Sequence, residues 1–393
     1  MKKILSASAL VIASFAVALA LGEGTLRAIG FSYFSFWQPD EFTGARLRAG
    51  AEGWSRDEGE AYVKINSRGL RDVEHTLAKP QGVYRIAVLG DSYAEAMQVE
   101  REETFWARLP AALEHCGLAS GKRIETLNFG VSGFGTAQEL LTLRERAWAY
   151  APDLVLLAFY PGNDVRNNSK ALEPEKTRPF FTLREDRLAL DDSFRTDPRF
   201  LESMRIDEQR AALQSLRLYQ LLRRVRAGTL TVHHNAPIAA ALAADADVPA
   251  LNEPGLDENV LRAPPDPQWS EAWRVTEGLI LAMRDEVRGR GARFLVAVLS
   301  TPGAVYPDAA LRARYQRHLG VDDLFYPERR ILALAKREGF DAVVLAPDMQ
   351  RYAEATGTYL HGFANTRPGF GHWNAAGHAL AATLIARHLC TPN

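Results

Sequence analysis

The chain has 393 residues, with 47 Lys plus Arg against 48 Asp plus Glu, and 47% of it is apolar. That length admits one large domain with an insertion, or two domains, and the apolar share is ample for a core. The near-balance of charge gives no electrostatic case for nucleic acid. Two cysteines without CxxC spacing, and no HExxH, give no case for a metal site or any other cofactor.

Lys2 and Lys3 open the chain, and an uncharged apolar run extends from Ile4 to Gly22. At about 1.5 Å per residue it just spans a hydrocarbon core of about 30 Å. One reading is a signal anchor held in the inner membrane by residues 4–22. The other is a cleaved signal with Ala18-Leu19-Ala20 as its processing site. Length favours the anchor, as does the aromatic cluster Phe31, Tyr33, Phe34, Phe36 and Trp37, which suits a membrane–water interface. Both readings export the rest of the chain to the periplasmic or extracellular side.

The domain reading is therefore 1–37 as anchor and interfacial segment, 38–83 as a polar linker with a docking segment, and 84–393 as the main domain. Turn chemistry marks Asn66-Ser67-Arg68-Gly69 within the linker. Arg85–Leu89 then predicts a first strand, ending at Gly90-Asp91-Ser92-Tyr93. Residues 105–117 carry Phe105, Leu109, Leu113 and Cys116 at helical spacing. Ile124–Phe129 predicts a second strand, followed by a turn with Gly130, Gly133 and Gly135, and Ala137–Trp148 a helix. Leu154–Phe159 is a third, strongly apolar strand, followed by Gly162-Asn163-Asp164.

The rhythm then breaks. Residues from about 165 to 265 read as a helical insertion, a lid or substrate-facing subdomain, with an amphipathic segment at Leu216–Val225 and an Ala-rich stretch near 236–265. Strands are predicted again at Phe294–Leu299 and Ala342–Leu345, with a helix over Asp323–Glu338 between them. Gly371-His372-Trp373-Asn374 precedes a last helix, Ala375–Leu389. Alternating strands and helices predict an α/β fold, a flavodoxin-like doubly wound sheet of five parallel strands with the insertion after strand 3 and the membrane helix at the N-terminus.

Ligands of such sheets bind beyond the carboxyl ends of the strands. A serine, a glycine-rich turn, an asparagine and a histidine all fall there. Ser92 is the candidate nucleophile and His372 its base. The N–H groups of Ser92 and Gly133 and the amide of Asn163 are candidate oxyanion donors. Asp91 and Asp164 read as loop holders, His378 as a packed structural residue, and His361 and the His233-His234 pair as surface residues.

These four blocks resemble the SGNH (GDSL-like) hydrolase superfamily, which is named for its Ser, Gly, Asn and His. Gly90-Asp91-Ser92 matches the first block, Gly133 the second, Gly162-Asn163-Asp164 the third and His372 the fourth. The anchor and the Asn66–Arg71 segment also look like membrane-anchored bacterial members. One departure stands out. Those enzymes usually carry an aspartate three residues before the histidine, and here that residue is Gly369. The leading substitute is Asp348, after the fifth strand; a Ser–His dyad with a backbone carbonyl orienting His372 is the alternative.

The resemblance implies a serine esterase acting on acyl esters of glycans, lipids or small alcohols. Two alternatives stay open, an O-acyltransferase that modifies an envelope polysaccharide and a non-catalytic envelope binding module. Finally, the helices ending at Cys116 and Cys390 are expected on the same face of the sheet, running the same way. Their ends would meet opposite the active edge, which favours a disulfide over two buried thiols.

Overall fold

The structure, a computed structural model, describes residues 2–114, 116–185, 187–226 and 256–391. It opens on one long helix, α1 (Lys2–Ala28), whose apolar stretch Ser8–Ala28 is long and apolar enough to cross a membrane and has no buried residue. Two antiparallel hairpins come next, β1 (Trp37–Asp40) with β2 (Gly44–Leu47), and β3 (Glu52–Ser55) with β4 (Ala61–Lys64). The stretch that reads as a linker is therefore folded. Phe36, Leu47, Ala61, Val63 and Ile65 form a small second core with Met97, Val131 and Phe134 of the main body. The short strands, broken by glycine and charge, hide this from periodicity.

The sheet begins with β5 (Val83–Gly90), buried along its whole length, and leads into a one-turn helix, α2 (Ser92–Glu95). Next come α3 (Phe105–Ala112), β6 (Arg123–Asn128), α4 (Thr136–Glu145), β7 (Leu154–Phe159) and a short α5 (Asp164–Asn167). The insertion starts with a hairpin, β8 (Phe180–Arg184) and β9 (Arg187–Asp191), where helix alone was expected. Helix α6 (Pro198–Arg210) comes after it, and residues 217–226 are helical (α7). His233, His234 and most of the Ala-rich stretch lie outside the described residues.

Helix α8 (Pro267–Gly289) is the largest element that strand-hunting overlooks. Its start is marked by Asp266, whose carboxylate accepts from Trp269 N–H at 2.9 Å, and by Pro267. The remaining elements are β10 (Arg293–Val298), α9 (Ala309–Leu319), α10 (Tyr326–Glu338), β11 (Asp341–Val344), α11 (Ala346–Thr356) and α12 (Ala375–Cys390).

The main sheet has the order β11-β10-β7-β5-β6, and every pairing is parallel. Counted within the sheet this is 2-1-3-4-5, the flavodoxin-like order. The chain moves outward from β5 to β6 and then back across to β7. Right-handed crossovers therefore place α3 and α4 on opposite faces. Helix α3 packs with α12 and α4 with α8. The direction of strand order reverses between β5 and β7, and Ser92 and Asn163 sit at the carboxyl ends of those two strands.

Cys116 and Cys390 are joined, with their Cα atoms 5.2 Å apart across 274 residues of sequence. The bridge closes the contact between the α3 and α12 regions at the edge away from Ser92.

Candidate active site

Ser92 is the first residue of α2, directly after the buried β5. Asp91 caps this helix, its carboxylate accepting from Tyr93 N–H at 2.9 Å. The turn is held from outside by Arg71, which is 1% exposed. The Arg71 guanidinium donates to the carbonyls of Glu95 at 2.8 Å, Ala96 at 2.5 Å and also Val99. Ala96 has φ +53°, a left-handed backbone that costs energy without glycine and needs such support. Burial lowers the Arg71 pKa to about 10, so it stays cationic at neutral pH. Asn66 builds the turn that delivers Arg71, its Oδ1 accepting from Arg68 N–H and Leu70 N–H.

His372 lies in the loop before α12. Its Nε2 is 2.8 Å from Ser92 Oγ, and its Nδ1 is 2.5 Å from Glu58 Oε2. The other Glu58 oxygen accepts from the His372 backbone N–H at 2.8 Å. Glu58 sits in the turn of the β3–β4 hairpin, 314 residues from the histidine it touches. Burial alone would raise its carboxyl. The hydrogen bond and charge of His372 outweigh that and hold Glu58 below the usual glutamate value, hence ionised. Gly371 makes the approach possible: its φ is +78°, and a Cβ there would collide with Glu58 Oε1. Asn365 straps the hairpin turn down, accepting from Gly59 N–H at 2.9 Å and donating to Gly59 O at 2.8 Å.

The geometry corrects the expectation for Asp348. That residue lies in the first turn of α11, where its carboxylate pairs with Arg351 and Arg387. Its carboxylate is engaged by Arg387 on α12, while His372 Nδ1 is engaged by Glu58. No local motif marks Glu58. The missing carboxylate at Gly369 is the only sequence signal that another segment must supply one.

His361 is also misplaced by sequence reasoning. It is 1% exposed, not at the surface. Burial pushes its pKa down to about 3, so the ring is neutral. Nδ1–H then donates to Gly371 O at 2.7 Å, and Nε2 accepts from Ser300, whose hydroxyl in turn accepts from Trp373 Nε1 at 2.8 Å. This chain fixes the residues on both sides of His372. His378 is buried, stacks on Phe105 and accepts from the Phe105 N–H, a packed structural residue as expected.

On the other side of Ser92, Gly133 is exposed with φ +77°. Its carbonyl accepts from Arg178 at 2.7 Å and from Asn167 at 3.1 Å, which turns the peptide and sets its direction. Gly133 and Asn163 line one cavity of about 500 Å³. Behind them Asp91, Glu139 and Asp164 are buried together. Burial and mutual repulsion raise the carboxyls of Glu139 and Asp164 well above their usual range. Asp164 also accepts from Tyr160 N–H at 2.9 Å, so it holds its turn as Asp91 does.

No protein-family model and no curated protein matches the sequence. Among solved structures the chain is similar to an acetyl xylan esterase, at 12% identity and TM-score 0.37, over 77% of this chain and 96% of that one. It is also similar to a catalytic variant of an acetylxylan esterase from Geobacillus stearothermophilus, at 12% identity and TM-score 0.38, over 81% and 98%. A GDSL-like lipase from Bacteroides thetaiotaomicron is a third, at 13% identity and TM-score 0.32, over 79% and 91%.

Proposed function

We propose that this chain is a serine hydrolase of acyl esters, with Ser92, His372 and Glu58 as its catalytic relay. The observation that carries the reading is the unbroken hydrogen-bond chain from Ser92 Oγ through both His372 nitrogens to Glu58. A serine hydroxyl is a weak nucleophile until a base accepts its proton. His372 Nε2 is placed to accept it, and Glu58 fixes the tautomer with the proton on Nδ1 and stabilises the imidazolium that forms.

On this reading the reaction runs in two halves. Ser92 Oγ attacks the ester carbonyl as its proton passes to His372. The tetrahedral oxyanion is met by the N–H groups of Ser92 and Gly133 and by the Asn163 amide. When the C–O bond to the alcohol breaks, His372 returns its proton to the departing oxygen. Water then attacks the acyl-enzyme by the same route, releasing the acid and restoring Ser92. Each oxyanion donor is expected to contribute on the order of 10²–10³ in rate.

Helix α1 is read as a tether that keeps the enzyme at a membrane with its catalytic body on the exported side. A disulfide between Cys116 and Cys390 is consistent with an oxidising compartment. The test is labelling of the purified protein with a fluorophosphonate, together with turnover of p-nitrophenyl acetate. Both are expected in the parent and absent in Ser92→Ala. An unlabelled, inactive but folded parent would reduce the site to a binding module.

A further inference from the structure

The cavity beside the oxyanion donors is walled by side chains that the relay does not use. It lies between the β1–β2 turn and the segment that leaves α5, and Gly133 and Asn163 form one wall. Arg166, Glu173, Glu175, Thr177, Arg178 and Gln138 supply its polar lining. Two of these are buried yet incompletely bonded. Arg178 is 9% exposed, and its Nε has no hydrogen-bond partner among the described residues. Glu173 is 4% exposed, and the same holds for its Oε2. Arg166 Nε stands 3.8 Å from that oxygen, too far for a hydrogen bond.

A buried donor and acceptor without hydrogen bonds are costly, and a ligand that bonds to both removes that cost. An acyl chain brings no hydrogen-bonding groups and would seal them in unpaired. A group that both donates and accepts satisfies them together. The two arginines and two glutamates cancel in charge, so the lining does not select an ionised ligand. A volume of about 500 Å³ admits a group the size of a sugar ring or two.

We infer that this cavity is a subsite for the alcohol portion of the ester, and that this portion is a neutral carbohydrate whose hydroxyls pair with Arg166, Glu173 and Arg178. The inference rests on the ester-hydrolase reading for its orientation: the acyl carbon sits at Ser92, and the sugar extends past Gly133 toward α5.

Binding can be measured without turnover. Full-length Ser92→Ala protein in detergent is titrated calorimetrically with xylotetraose, mannotetraose and cellotetraose, and in parallel with sodium octanoate. At least one tetrasaccharide is expected to bind, and its affinity is expected to fall at least about tenfold with Glu173→Gln, the loss of a charged hydrogen-bond partner. Arg166→Gln serves as a second variant should Glu173→Gln fail to fold, with the same loss expected. Octanoate binding without any tetrasaccharide would overturn the assignment, and so would no binding at all or tetrasaccharide binding indifferent to both substitutions. If a tetrasaccharide binds as expected but the parent takes no fluorophosphonate, the subsite stands and the hydrolase reading alone fails.

Discussion

Glu58 holds His372 from the far end of the sequence, 314 residues away. Its two oxygens grip the ring and the backbone of one residue, a bidentate hold that fixes position as well as tautomer. The four blocks around Ser92, Gly133, Asn163 and His372 are legible in the sequence because each is a short local signal at a strand end or helix start. Glu58 is not, because only the tertiary docking of a hairpin brings it there. Asp348 draws attention by its place after the fifth strand, yet a strand end says nothing of where a side chain points. Its partners Arg351 and Arg387 are exposed surface residues. Asp348→Asn is therefore expected to leave ester hydrolysis within about twofold of the parent and to cost little stability, as exposed ion pairs do.

Glu95 gives a second prediction at this scale. It is fully buried between Trp37 Nε1 and Ser132 Oγ. Burial raises its carboxyl to about 7, against the lowering effect of those hydrogen bonds. Below about 4.5 both folded and unfolded chains hold the proton. Between there and about 7 the folded chain keeps a proton that the unfolded chain has released, so stability falls as pH rises through that window and stays low above it. Glu95→Gln keeps the shape and cannot ionise. Thermal unfolding is expected to show the variant gaining on the parent between pH 5 and pH 8, by about 1.4 kcal/mol per pK unit removed. A difference constant with pH would contradict the burial argument.

Among the elements, the five sheet strands are the most legible. β7 is apolar at every position and buried at every position, and its observed bounds match its apolar run. The N-terminal hairpins are not legible, because their core lies half in another segment: Val63 and Ile65 pack on Met97, Val131 and Phe134. The segment from Asn66 to Arg71 joins these hairpins to the turn that carries Ser92. Arg71→Met removes the donor to three carbonyls in the loop after α2 and takes a buried positive charge away from Glu95. It is expected to destabilise by about 3–5 kcal/mol, the cost of breaking a buried charged network from one side. Chemical denaturation measures this, and a loss below about 1 kcal/mol would mean that Arg71 is not the clamp.

The Cys116–Cys390 bridge joins two regions whose meeting follows from crossover handedness, which is why sequence could anticipate it. Cys390→Ser is expected to lower stability by about 2–4 kcal/mol without abolishing activity, since the bridge lies away from Ser92. Non-reducing electrophoresis of the parent should show a faster band than the reduced form.

Across the whole molecule, the end of α1 and the candidate site are joined by direct contacts. Glu23, near the end of α1, accepts from the N–H groups of Arg217 and Leu218 at 3.0 Å each, capping α7 of the insertion. Trp37, beyond the end of α1, reaches Glu95 at the end of α2. The hairpin between them carries Glu58. The chain that leaves α1 thus builds the site before the sheet begins. On cell fractionation the full-length protein is expected in the membrane fraction and resistant to alkaline extraction. A soluble form starting near residue 21 would show a processed signal in place of a tether.

The proposed place of Glu58 in the relay is open to a kinetic measurement. That measurement is of kcat and KM for p-nitrophenyl acetate in the parent, Glu58→Gln and Asp348→Asn, with folding checked by thermal unfolding. Glu58→Gln keeps the shape but stabilises the wrong histidine tautomer, so it is expected to lose about 10²–10⁴ in kcat, while Asp348→Asn stays near the parent. A folded Glu58→Gln protein with near-parental kcat, or an Asp348→Asn protein as impaired as Ser92→Ala, would contradict the relay.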